Sequence, residues 1–197
     1  MEMLMKTLKV VVILIVLLVL PAAVIASDLE DVEKLRAEQI KKWGDTSIPK
    51  PNEIASKAKA VLDKPIENQS ISELKNIAEQ SNKAANYVGF ILDDYATYYR
   101  DNYKYDFVQE KVAPFHDAYV KLSNELKDYR NQSYFNIGKK LAASNNEIEA
   151  FFYFRDTYRL SSFTDNKGDH KGMRFLAEQE MKKLMGLSDI GSFIYWK

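Results

Sequence analysis

The chain has no cysteine among its 197 residues. That removes disulfides, thiol catalysis, covalent haem attachment and thiolate zinc sites together. It also excludes a lipoprotein that carries lipid on cysteine. Histidine is nearly as scarce, with two in all. A di-iron bundle needs Glu-x-x-His pairs, because that spacing sets both ligands on one helix face. Ala113 stands three before His116 and Lys167 three before His170, so the signature is missing. A zinc pair at i and i+4 is missing too. His116 could meet a methionine such as Met181 across a noncovalent haem, but a structural histidine beside Pro114 is the reading adopted. No metal or cofactor is expected.

No excess of charge of one sign exists, since 28 basic residues face 28 acidic ones. A near-neutral chain lacks the electrostatic footprint of a nucleic-acid binder. There is no GxSxG, phosphate-loop or dinucleotide glycine pattern. The loop Thr164–Gly172 superficially resembles a calcium loop. Lys167 at position 3 and His170 at position 6 spoil the ligand set. Glycine (7) and proline (5) are few, and after residue 26 no segment alternates like a strand.

What is present begins with one long apolar run. Lys6 and Lys9 precede Val10–Leu20, Pro21 breaks the run, and Val24-Ile25-Ala26 offers small side chains to a signal peptidase. Cleavage after Ala26 is expected. The competing reading is an uncleaved anchor, because Val10–Ala26 sits near the lower length limit for spanning a bilayer. No twin arginine precedes the run, which favours the general secretory route. The expected location is therefore exported, periplasmic or extracellular, with a membrane contact only if the segment is retained. The remaining length of about 170 residues suffices for a core without disulfide staples.

Helical signals then follow one another. Ser27-Asp28-Leu29-Glu30 matches a capping box, and Leu29, Val32, Leu35, Ile40 and Trp43 share one sector. A proline-bearing linker reaches Asn52. Glu53–Asp63 turns Ile54, Ala58, Val61 and Leu62 to one side. A second capping box, Ser70-Ile71-Ser72-Glu73, opens the longest seam: Leu74, Ile77, Ser81, Ala84, Val88, Ile91, Tyr95, Tyr98 and Asn102. Pro114 divides the next stretch, because proline inside a helix removes a hydrogen bond and collides with the preceding turn. Phe115, Ala118, Leu122, Leu126, Tyr129, Ser133, Ile137 and Leu141 form the following seam. A third capping box, Ser144–Glu147, precedes a helix carrying Ile148, Phe151, Phe152, Arg155 and Tyr158. A last helix near Met173–Met185 stops at Gly186 with Leu187 behind it, as in a Schellman cap.

The pattern predicts an all-α fold: an antiparallel bundle of about four long helices with shorter N- and C-terminal ones. The expected organisation is a signal peptide over 1–26, an N-terminal helix and linker over 27–51, and the bundle over 52–197. Two near-repeats stand out, YYRDNYKY from Tyr98 and YFRDTYRL from Tyr153. Tyr99, Arg100, Tyr103 and Lys104 on one, with Phe154, Arg155, Tyr158 and Arg159 on the other, are the candidate ligand-binding residues. On helices these sets give aromatic and cationic i,i+4 pairs that could flank a groove for an anionic, glycan or small-molecule ligand. Against this stands the plainer reading of tyrosines bridging core and solvent, with Asp101 and Asp156 balancing the arginines. Asp93, Asp94, Asp101 and Asp106 form the one dense acid cluster, read as a solvated face and not as catalytic. Asn68-Gln69-Ser70 and Asn131-Gln132-Ser133 are glycosylation sequons. The leading expectation is a non-catalytic exported bundle that binds a protein or cell-envelope partner. A small-molecule or glycan receptor is the alternative, and an enzyme the third.

Overall fold

The protein is described from a computed structural model, at residues 31, 33–38, 40–41, 47–161 and 172–190. The apolar run Val10–Leu20, the cleavage triplet, the first capping box, the loop over 162–171 and the tail from 191 lie outside the described residues. The chain divides into two compact units, Met1–Ile48 and Pro49–Lys197. In the first, the described residues from 31 to 41 are helical and exposed, Leu35 and Ile40 included; Leu29, Val32 and Trp43 lie outside the described set.

The second unit is helical throughout its described elements. α1 spans Pro51–Leu62, α2 Ile71–Asn102, α3 Ala113–Ala143, α4 Glu147–Leu160 and α5 Met173–Leu184. The all-α antiparallel bundle is thus observed, with two helices of 32 and 31 residues and three shorter ones. Pro51 occupies the first turn of α1, where its missing N–H costs nothing. Ser70 caps α2 as expected, its Oγ accepting from Glu73 N–H at 3.1 Å. α5 closes with Gly186 at φ +68°, Leu187 N–H on Lys182 O at 2.8 Å and Gly186 N–H on Lys183 O at 3.2 Å. That pair of bonds is the Schellman arrangement.

The third capping box does not form. The chain turns at Asn145, in the left-handed region at φ 60°, and Asn146 takes the N-cap position. Ser144 Oγ donates backwards to Lys140 O at 3.0 Å, so its hydroxyl is spent on the preceding helix. The buried stripe of α4 also differs from the expected one. Ala150, Phe154 and Thr157 face inward, whereas Ile148 and Phe152 are exposed. The reason is Gly138, whose bare Cα lets α3 approach until an added Cβ would stand 2.7 Å from the Phe154 ring. The helix turns its one aromatic with a matching hollow into the core.

α2 and α3 form a long antiparallel hairpin, and α1 packs against both on one side. Its Ile54 and Ala55 lie with Ala84, Ala85, Val88 and Leu126. Its Ala58 and Val61 join Leu74, Ile77, Ile137, Leu141, Ala150, Phe154 and Ala177 in the main core. α4 and α5 pack beyond α3, and Lys75 of α2 reaches Glu149 of α4 at 3.7 Å. Arg130 is buried at the centre, its guanidinium donating to Asn82 Oδ1 at 2.8 Å and Asn131 Oδ1 at 3.0 Å. Burial lowers its pKa from the usual arginine value. Asn131 is buried as well and donates to Leu160 O at 3.2 Å, so the second sequon is sealed in the fold; Asn68 is exposed.

Candidate functional site

The core ends before the hairpin does. Leu74, Ile77, Ser81, Ala84 and Val88 are buried as the seam predicts, but Ile91, Tyr95 and Tyr98 on the same stripe are exposed. On α3, Leu126, Ser133, Ile137 and Leu141 are buried while Phe115 and Ala118 face solvent. The expected seams are therefore correct as faces and too long as cores. No helix among the described residues of this unit covers their distal halves. α1 begins at Pro51, level with Val88 and Leu126. From there outward, α2 and α3 form a two-helix arm.

The arm's tip is shaped by Pro114. Proline has no N–H for the residue four before it, and its ring would meet that carbonyl. The backbone widens into a π-helical turn, Val108–Val112, in which Ala113 N–H bonds Val108 O. Val108 is buried under this turn and Gln109 Nε2 ties it to Tyr103 O at 2.9 Å.

Between the two helices lies a cavity of about 450 Å³, with Ile91, Leu92, Tyr95, Tyr98 and Tyr99 on one wall. Val112, Phe115, His116 and Tyr119 form the other. Its floor is an aromatic stack: the Tyr99 and His116 rings lie 3.8 Å apart and 9° from parallel. Tyr103 meets Tyr99 edge-on at 5.4 Å. His116 Nδ1 lies 3.3 Å from Asp117 Oδ1. Partial burial, then the Asp117 and Tyr103 charges, holds the Tyr99 hydroxyl above its usual pKa of 10.0. Met181 packs against the main core instead and does not line the cavity beside His116.

The two near-repeats are not brought together. Tyr99 meets His116, while the end of α4 meets α3 at Asn131. Those two points of α3 are separated by roughly 22 Å of helix. Within the first repeat, Tyr99 lines the cavity, Arg100 is exposed and paired with Asp101 at 3.1 Å, and Lys104 covers the Tyr105 ring at 5.2 Å. In the second, Phe154 is fully buried beside Gly138 and Phe135. Arg155 pairs with Asp156 at 3.3 Å and lies over Phe152 at 4.8 Å. Tyr158 is covered by Arg174 at 4.3 Å, and Arg159 is exposed. Of these cations, Arg100 and Arg155 each meet the aspartate that follows them in the chain.

The acids Asp93, Asp94, Asp101 and Asp106 are all exposed, and no group of three metal-ligating side chains occurs among the described residues. No described helix is long and apolar enough to cross a membrane. Phe115 was legible in the sequence only as core, Tyr119 fell outside the expected seam, and nothing in the pattern marked His116 as the partner of Tyr99. Comparison with protein-family models, curated proteins and solved structures gives no match for this chain.

Proposed function

We propose that the protein is an exported, non-catalytic binding protein whose recognition element is the arm formed by the distal halves of α2 and α3. The observation that carries this reading is the apolar, tyrosine-rich cavity between the two helices, continued over the arm surface by Phe90, Tyr103, Tyr105 and Phe107. Exposed aromatic surface gathered at one end of a molecule is characteristic of an interaction site. Tyrosine suits that role because its ring offers apolar area and its hydroxyl tolerates water. Export rests on the N-terminal sequence pattern alone. The cavity also has the volume of a small-molecule site, which supports the alternative of a small-molecule or glycan receptor. The exposed aromatics extending well past the cavity favour a macromolecular partner.

The test is a photo-crosslinking side chain placed at Tyr98 in the producing cell, with the same group at Lys57 on α1 as control. An adduct at position 98 and none at 57 is the expected result. Equal adducts at both positions, or none at 98, reject the arm as the recognition element.

A further inference from the structure

We infer that the open groove of the arm receives a single amphipathic helix from a partner protein, basic along one edge; this rests on the reading of the arm as the recognition element. The argument is continuity with an interface the molecule already makes. α1 occupies the proximal part of the same groove, inserting Ile54, Ala58 and Val61, an i, i+4, i+7 row, between α2 and α3. Beyond Pro51 both rails continue with the same helical periodicity. Ile91, Tyr95 and Tyr98 stand at i, i+4, i+7 on α2, and Phe115, Tyr119 and Leu122 do so on α3. A groove walled by two such rows accepts a third helix by its own i, i+4, i+7 stripe. The row on each rail runs about 10 Å, or two turns, so a partner helix of about three turns fills it.

The partner's charge follows from the edge of the α2 rail. Asp94 and Asp101 each stand three residues after a stripe residue, Ile91 and Tyr98, and both are exposed. Residues three apart are neighbours on a helix surface, so a helix lying on the stripe passes beside these carboxylates. Arg100 already meets Asp101, which leaves Asp94 as the main contact for an incoming lysine or arginine.

The probes are fluorescent 18-residue helical peptides with a Leu/Ile stripe at i, i+4, i+7, one bearing lysine on the flanking edge, one glutamate, and one of scrambled order. The full chain should bind the lysine-edged peptide roughly five- to tenfold more tightly than the glutamate-edged one, and the scrambled one not measurably. Asp94→Lys should erase or reverse that preference without loss of the folded signal, and Ile91→Asp should abolish binding at unchanged melting temperature. Equal affinity for the two edges, binding of the scrambled peptide, or no binding overturns the proposal. So does dimerisation through the arm in sedimentation, or a Tyr98 crosslink to residues 27–48 of the same chain. A Tyr98 adduct that proves to be lipid, glycan or a small metabolite would leave the arm as recognition element and remove the helix.

Discussion

The two halves of the same two helices end in opposite surroundings. In the proximal half, small residues on α2 (Ser81, Ala84, Ala85) let α1 come close, and Val88 is 2% exposed. In the distal half the stripe carries Ile91, Tyr95 and Tyr98, and Tyr95 is 63% exposed. Phe115 and Leu126 make the same contrast on α3, at 70% and 0%. Nothing in the 3.6-residue period changes between the halves; what changes is whether a neighbour covers the stripe. Apolar periodicity therefore reports a face in need of cover, not the presence of one.

The sharpest way to break the comparison is a matched pair of charges one turn apart. Val88→Asp should cost several kcal/mol, because an unpaired carboxylate would be sealed under α1, and that is a large share of a typical folding free energy. Ile91→Asp, three residues on, should leave the urea midpoint nearly unchanged, as surface substitutions do. Equal losses would mean that the core runs further along the arm than α1 does.

The glycines sharpen the contrast at lower cost. Gly138 holds α3 against Phe154, so Gly138→Ala should destabilise by about 1–2 kcal/mol, the overpacking strain less the helix-propensity gain of alanine. At Gly89 an added Cβ meets nothing within 4 Å. Gly89→Ala should therefore stabilise by up to about 1 kcal/mol. Thermal melts of the two variants should move in opposite directions, and a shared sign would contradict the close contact at Gly138.

The smallest effect is in pH. Tyr129 packs against both clusters of the proximal core, and its hydroxyl donates to Glu125 Oε1 at 2.6 Å. Burial first, then that hydrogen bond and the Glu125 charge, pushes its pKa up to about 12 from 10.0. A raised folded-state value means the stabilising contribution is complete below the unfolded value and is lost as pH rises through the folded one. Stability should thus decline between about pH 10 and 12, and Tyr129→Phe should flatten that slope. A wild-type slope retained in Tyr129→Phe would assign the decline to other groups.

Much of the bundle could be read from the chain because its causes are local. Ser70 and Glu73, Pro114, Gly186 and Leu187 act within a turn of themselves, through a hydroxyl, a missing N–H or a left-handed φ; Pro51, expected in the linker, instead opens α1. The failures have distant causes. Ser144 had two local uses for its hydroxyl, and the geometry of the turn at Asn145 chose the preceding helix. The stripe of α4 was displaced because Phe154 found its space at Gly138, a residue on another helix. The near-repeats looked like a pair, yet the antiparallel arrangement set one at the arm and ran the other through the core.

The sequence by itself determined an all-α chain without cysteine, most of the helix limits, and the apolar face of α2 and α3. These follow from short-range hydrogen bonding, steric limits on the backbone and a fixed helical period. Only the tertiary structure decided which parts of those faces are covered. α1 is 12 residues long and α2 is 32, so α1 cannot reach the far end of the groove. Stacking of Tyr99 on His116, burial of Phe154 and exposure of Tyr95 all depend on which helix lies beside which. Sequence spacing specifies faces; the packing of neighbouring helices selects which of them remain exposed.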